Sequence, residues 1–146
     1  MPKALVLICG FVFAISTSAY GQEIFTVSGE ISFQEEKGEF LVYLKTQEEL
    51  EERGEPALPS RSLVIKPNPQ QLQAKKVTFK FVAVPKGFYC ILCVQDLNKN
   101  GKLDYSAQTG IPIEPLGYSG QAFFHGQWED IKFEVDKDIS GIEIKL

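Results

Sequence analysis

The sequence predicts an all-β protein, a two-sheet antiparallel sandwich of about seven strands with one short helix. Three observations carry that expectation. Apolar residues recur at every second position through most of the chain. Turn residues interrupt the pattern at short intervals, and no heptad, repeat or low-complexity segment competes with it. With 146 residues, 44% hydrophobic and 23% charged, the composition suits one packed globular core.

From Phe25 the alternation is regular: Phe25, Val27, Ile31 and Phe33 share one face, and Thr26, Ser28, Glu30 and Ser32 the other. Phe40, Val42 and Leu44 follow the turn QEEKG, so residues 23–45 read as a hairpin or as two sequential strands. In TQEELEERG, Thr46 with Glu49 three residues on is a capping-box signal and Gly54 a stop, which predicts a helix of one or two turns. Leu63–Ile65, with prolines on both sides, is an edge-strand candidate. Val77, Phe79 and Phe81 alternate with Thr78 and Lys80, and Pro85-Lys86-Gly87 makes a turn. The run FYCILCVQD is apolar on both faces, as a central strand requires. Ile131, Phe133 and Val135, then Ile142, Ile144 and Leu146, give the last two strands.

The first residues, MPKALVLICGFVFAISTSAYGQ, combine a positive Lys3, an apolar run from Ala4 to Ile15, and the small-residue site Ala19-Tyr20-Gly21. Residues 1–21 are read as a signal peptide and 22–146 as a single β-sandwich domain. The apolar run falls short of the ~20 residues that span a bilayer, so no transmembrane span is expected in the mature chain. Cys9 lies within the apolar run after Leu7-Ile8, where a lipidated cysteine would need a small residue before it. The expected destination is export: periplasmic, outer-membrane-associated or secreted. Cleavage would leave 14 basic and 19 acidic side chains, net −5. The basic residues are scattered among acids, so no nucleic-acid partner is expected.

In an oxidising compartment paired cysteines form disulfides, and only Cys90 and Cys93 would remain. Residues three apart on a strand point to opposite faces, so these two are read as buried core thiols in preference to a disulfide or a metal pair.

The central strand runs into DLNKNGKLD. Asp96, Asn98, Asn100 and Asp104 hold positions one, three, five and nine of a calcium-loop pattern, Gly101 the reversal at six, and the Lys102 carbonyl position seven. A hard cation needs six to eight oxygens, and such a loop presents alternate residues to it. Position twelve is Ala107 instead of a bidentate Glu, so a closing acid must come from elsewhere, and Glu114 in GIPIEP is the candidate. Asn and Asp also end strands through side-chain turns with no ion. The metal reading, a structural calcium, is preferred.

These residues sit in a larger pattern: Pro85, Gly87 and Tyr89; Asp96 to Asp104; Gly110-Ile111-Pro112, Glu114, Gly117, Tyr118 and Ser119; then Trp128-Glu129-Asp130. The pattern resembles an uncharacterised bacterial family, domain of unknown function 2141. Gln95 stands where many members carry His, and Gly120 where Asn is common. The resemblance implies a small secreted sandwich of immunoglobulin-like or transthyretin-like type, and it implies no activity.

Tyr118, Phe123, Phe124 and Trp128 form either a binding platform for sugar or peptide or the lid that packs a long loop onto the core; the lid is the ordinary fate of Phe and Trp. His125 is the sole histidine and has no nucleophile motif with it, so no enzyme is expected. The expected role is a non-enzymatic module at the cell envelope, acting as a binding or structural unit with a protein or glycan partner. A carbohydrate- or peptide-binding domain is the alternative. A small metal-dependent hydrolase ranks last, because Asp104 and Glu114 would be consumed as ligands.

Overall fold

The computed structural model describes residues 21–52, 61–120 and 127–146. Among them eight strands form two sheets, so the sandwich expected from the sequence is present. The three-stranded sheet places β1 (Ile24–Ser32) between β4 (Lys76–Pro85) and β8 (Ile139–Lys145). Strand β1 is antiparallel to β4 and parallel to β8. The larger sheet runs β3 (Ser62–Ile65), β2 (Glu39–Lys45), β5 (Gly87–Asp96), β6 (Leu116–Tyr118), and β7 (Phe133–Val135) pairs with the first residues of β5.

Strands β1 and β2 are the two sequential strands of the earlier alternative and not a hairpin, since each belongs to a different sheet. The chain crosses between layers at 33–39. Phe33 N–H still donates to the Lys75 carbonyl at 3.2 Å on the first sheet, and its ring packs on Phe40 of the second with centroids 4.7 Å apart. Val27, Ile31, Val77, Phe79 and Ile144 from one sheet meet Phe40, Val42, Leu44, Ile91 and Cys93 from the other. Each such side chain contributes about 1.5–3 kcal/mol by leaving water.

Phe81 and Val84 are both buried although three residues apart. The register pairs Phe25 with Val84 and Val27 with Phe81, so β4 carries one extra residue there, taken up by Ala83 at φ 54.

Helix α1 (Gln47–Glu51) starts with the expected reciprocal capping box of Thr46 and Glu49; Gly54 lies outside the described residues. Two further helices depart from the sequence reading. Helix α2 (Pro69–Ala74) has its own box between Asn68 and Gln71, and Lys75 in the left-handed conformation ends it. Helix α3 (Trp128–Ile131) takes up Ile131, which alternation had joined to Phe133 and Val135. Short strand β6 was also unexpected.

Cys90 and Cys93 are both fully buried and free, and Cys93 belongs to the inter-sheet core. Burial pushes the Cys90 thiol up to about 12 and raises Cys93 further, so both stay protonated. Among the described residues no helix is long and apolar enough to cross a membrane.

Candidate functional site: the loop after the central strand

Strand β5 is buried on both faces over much of its length, flanked on one edge by β2 and on the other by β6 and β7. Its last residue, Asp96, pairs with Glu39 and has no exposed surface. A carboxylate that deep must be satisfied locally. Asn100 N–H donates to Asp96 Oδ1 at 3.1 Å and Gly101 N–H to Oδ2 at 2.6 Å. Gly101 reaches this position at φ +82, and a Cβ there would meet nothing within 4 Å.

Asn98 and Asn100 form successive side-chain turns. Asn98 Oδ1 accepts from Asn100 N–H and Asn100 Oδ1 from Lys102 N–H, each at 3.0 Å. Their amide nitrogens converge on Asp104 Oδ2 at 2.6 and 2.7 Å. Asn98 and Asn100 are thus joined to Asp104 through their amide nitrogens, while their oxygens face backbone N–H groups.

Glu114 does arrive from farther along the chain. It is 7% exposed, and its two oxygens accept from Leu97 N–H at 2.8 Å and Asp104 N–H at 3.1 Å. It therefore clips the second and ninth residues of the loop together. A carboxylate has about four acceptor sites, and these bonds use two of them at Glu114, as two others do at Asp96. Both acids retain oxygen lone pairs for a cation. Among the described residues no group of three or more His, Cys, Asp or Glu side chains forms a metal cluster. Asp96, Asp104 and Glu114 are thus linked through backbone N–H groups of the loop and do not themselves close into such a cluster.

Glu114 reaches the loop because residues 104–113 fold back on themselves. Ile113 N–H donates to the Asp104 carbonyl at 3.0 Å, Ser106 N–H to that of Ile111 at 2.8 Å, and Tyr105 bridges to Pro112. Gln95 N–H then donates to the Pro115 carbonyl at 2.8 Å, which starts β6. Sequence reading missed this small hairpin, although SAQTG between DY and IPI is a glycine-bearing turn signal.

A second missed support lies below the loop. Gln95 Nε2 donates to the carbonyls of Glu35 at 2.6 Å and Lys37 at 2.8 Å, tying the 34–38 turn beside Asp96. Gly38, at φ +88, sits so close that a Cβ would lie 2.6 Å from the Asp96 carbonyl oxygen. Gln95 Oε1 is buried without a hydrogen-bond partner among the described residues.

Of the four aromatic residues, the structure describes Tyr118 and Trp128. Phe123, Phe124 and His125 lie outside the described residues. Tyr118 is half-buried on β6, and Trp128 is half-buried at the first position of α3. Tyr118 lines a groove of about 320 Å³ with residues 112–116 and Leu146. Burial, with smaller contributions from Cys90 and Tyr105, raises its phenol above the ordinary value. Nearby, Ser119 Oγ accepts from Ile91 N–H and donates to the Ile131 carbonyl, both at 2.8 Å, joining β5 to α3.

Fold and loop define a class of small all-β sandwich whose central strand passes directly into an Asp/Asn loop clipped by a buried glutamate. Residues 31–142 match the model of domain of unknown function 2141, described as an uncharacterized protein conserved in bacteria, and the chain belongs to that family. No curated protein and no solved structure matches it.

Proposed function

We propose that the chain is an exported, non-enzymatic β-sandwich module whose 96–119 connection is ordered by calcium, and that it serves as a binding or structural unit at the cell envelope. The observation that carries the ion reading is the gathering of Asp96, Asn98, Asn100 and Asp104 around a loop whose ends Glu114 already holds together. Rotating the two Asn amides would exchange nitrogen for oxygen opposite Asp104, turning a hydrogen-bonded cluster into an oxygen cage. The ion would supply positive charge between Asp96 and Asp104 and coordinate oxygens from both ends of the loop. With so modest a ligand charge, a dissociation constant of about 10⁻⁴ to 10⁻³ M is expected. Export is supported by the charged, apolar and small-residue order of residues 1–21.

Calorimetric titration of residues 22–146 with calcium tests the ion. One site in the stated range is the expected result, and no heat up to 10 mM calcium would overturn it. A second reading, a carbohydrate- or peptide-binding platform on Tyr118, Phe123, Phe124 and Trp128, is favoured by the groove beside Tyr118. Glycan-array binding lost in Trp128→Ala would support that reading, and unchanged binding in the variant would remove it.

A further inference from the structure

We propose that the face of the 104–113 hairpin carrying Ile111 and Ile113 docks reversibly onto an anionic lipid surface when calcium occupies the adjoining loop. This rests on the ion reading above. Ile111 and Ile113 are 48% and 62% exposed, two large apolar side chains on one connection, while Tyr105, 58% exposed, lies on its opposite face. The hydrogen bonds between 104 and 113 and between 106 and 111 hold them in place. With Tyr105 opposite Pro112, the pairing sets Ile111 and Ile113 on the other face, the one shared by Asp104. Two ordered isoleucines are thus held in water beside the proposed ion.

Charge indicates what covers them. Residues 96–115 contain Asp96, Asp104 and Glu114 against the exposed Lys99 and Lys102, so the connection carries net −1. A bound divalent cation changes that to +1. Residues 22–146 as a whole stay negative, at −5 before the ion is counted. An anionic surface is repelled by the empty loop and attracted by the filled one, and Lys99 and Lys102 add cations at the same place. Two isoleucines bury far less than the roughly 1,000 Å² a stable protein interface requires. Partial insertion of apolar side chains together with cationic attraction is the combination that gives reversible binding to a bilayer interface.

The test is co-sedimentation of residues 22–146 with phosphatidylcholine vesicles, with and without about 30 mol% phosphatidylglycerol, in calcium, magnesium or chelator. Calcium calorimetry is run on the same samples. Binding is expected only with the anionic lipid and calcium, and at least about tenfold weaker in Ile111→Ser/Ile113→Ser and in Lys99→Glu/Lys102→Glu. Because Ile111 and Ile113 are exposed, the isoleucine variant should keep the parent melting temperature and the parent calcium affinity. If calorimetry shows the ion bound while no vesicles sediment, the docking proposal fails and the ion reading stands. If no ion binds, both fail. A concentration-dependent dimer abolished by Ile111→Ser/Ile113→Ser would assign the face to a second copy and overturn the lipid assignment.

Discussion

Replacing Asp96 with Asn separates the loop's hydrogen bonding from its proposed ion binding. Asp96 accepts from Gly101 N–H at 2.6 Å and from Asn100 N–H at 3.1 Å, and the latter N–H is shared with Asn98 Oδ1 at 3.0 Å. The amide should therefore keep its oxygen on Gly101 and turn its nitrogen toward Asn100, whose N–H still has Asn98. The loss is then one charge-assisted bond, about 1.5–3 kcal/mol, present even in chelator. In the parent chain 10 mM calcium adds RT ln(1 + [Ca]/Kd), which is about 1.4–2.7 kcal/mol for a Kd of 10⁻³ to 10⁻⁴ M. The variant should gain almost none of this. Urea unfolding of both chains should accordingly show a gap of about 1.5–3 kcal/mol in chelator that widens to about 3–6 kcal/mol in calcium. A parent midpoint that does not move between chelator and 10 mM calcium would refute the reasoning, whatever the variant does.

Three further outcomes are expected. Gly101→Ala meets no atom within 4 Å and should lose only about 1–2 kcal/mol from its left-handed backbone, whereas Gly38→Ala adds a 2.6 Å clash with the Asp96 carbonyl and should lose more in the same denaturation assay. Ser119→Ala leaves the buried Ile91 N–H and Ile131 carbonyl without their shared hydroxyl, and about 2–4 kcal/mol of stability should go with it. The thiols set an alkaline limit: a folded-state value of about 12 for Cys90, above the ordinary 9.0, gives stability that is complete below pH 9 and lost as pH rises toward 12. The slope is about 1.4 kcal/mol per pH unit per thiol, and it should flatten in Cys90→Ala/Cys93→Ala whatever that variant's stability at pH 7.

The strands legible in the sequence are those with one face in the core. Val77, Phe79 and Phe81 alternate with exposed Thr78 and Lys80, and period two reports that difference directly. Strand β6 shows no such period because it has three residues, of which Gly117 packs against the Lys145 carbonyl and has no side chain to display a pattern. Helix α2 was legible in principle: Asn68-Pro69 followed by Gln71 is a capping box with proline at the first turn, which the edge-strand reading of those prolines passes over. At the loop, spacing alone located Asp96, Asn98, Asn100 and Asp104. The contact of Glu114 with two backbone N–H groups depends on the 104–113 hairpin, and the tie from Gln95 to the 34–38 turn spans sheet neighbours far apart in sequence. Local periodicity carries no information about either.

The parallel pairing of β1 with β8 also orders events in time. Val27 sits beside Ile139 and Ile31 beside Ile144, so the middle strand of the smaller sheet acquires its second neighbour only after β8, far along the chain, has been made. Such distant partners raise the contact order and slow folding. Deleting β8 would leave β1 with a raw edge open to pairing with other molecules.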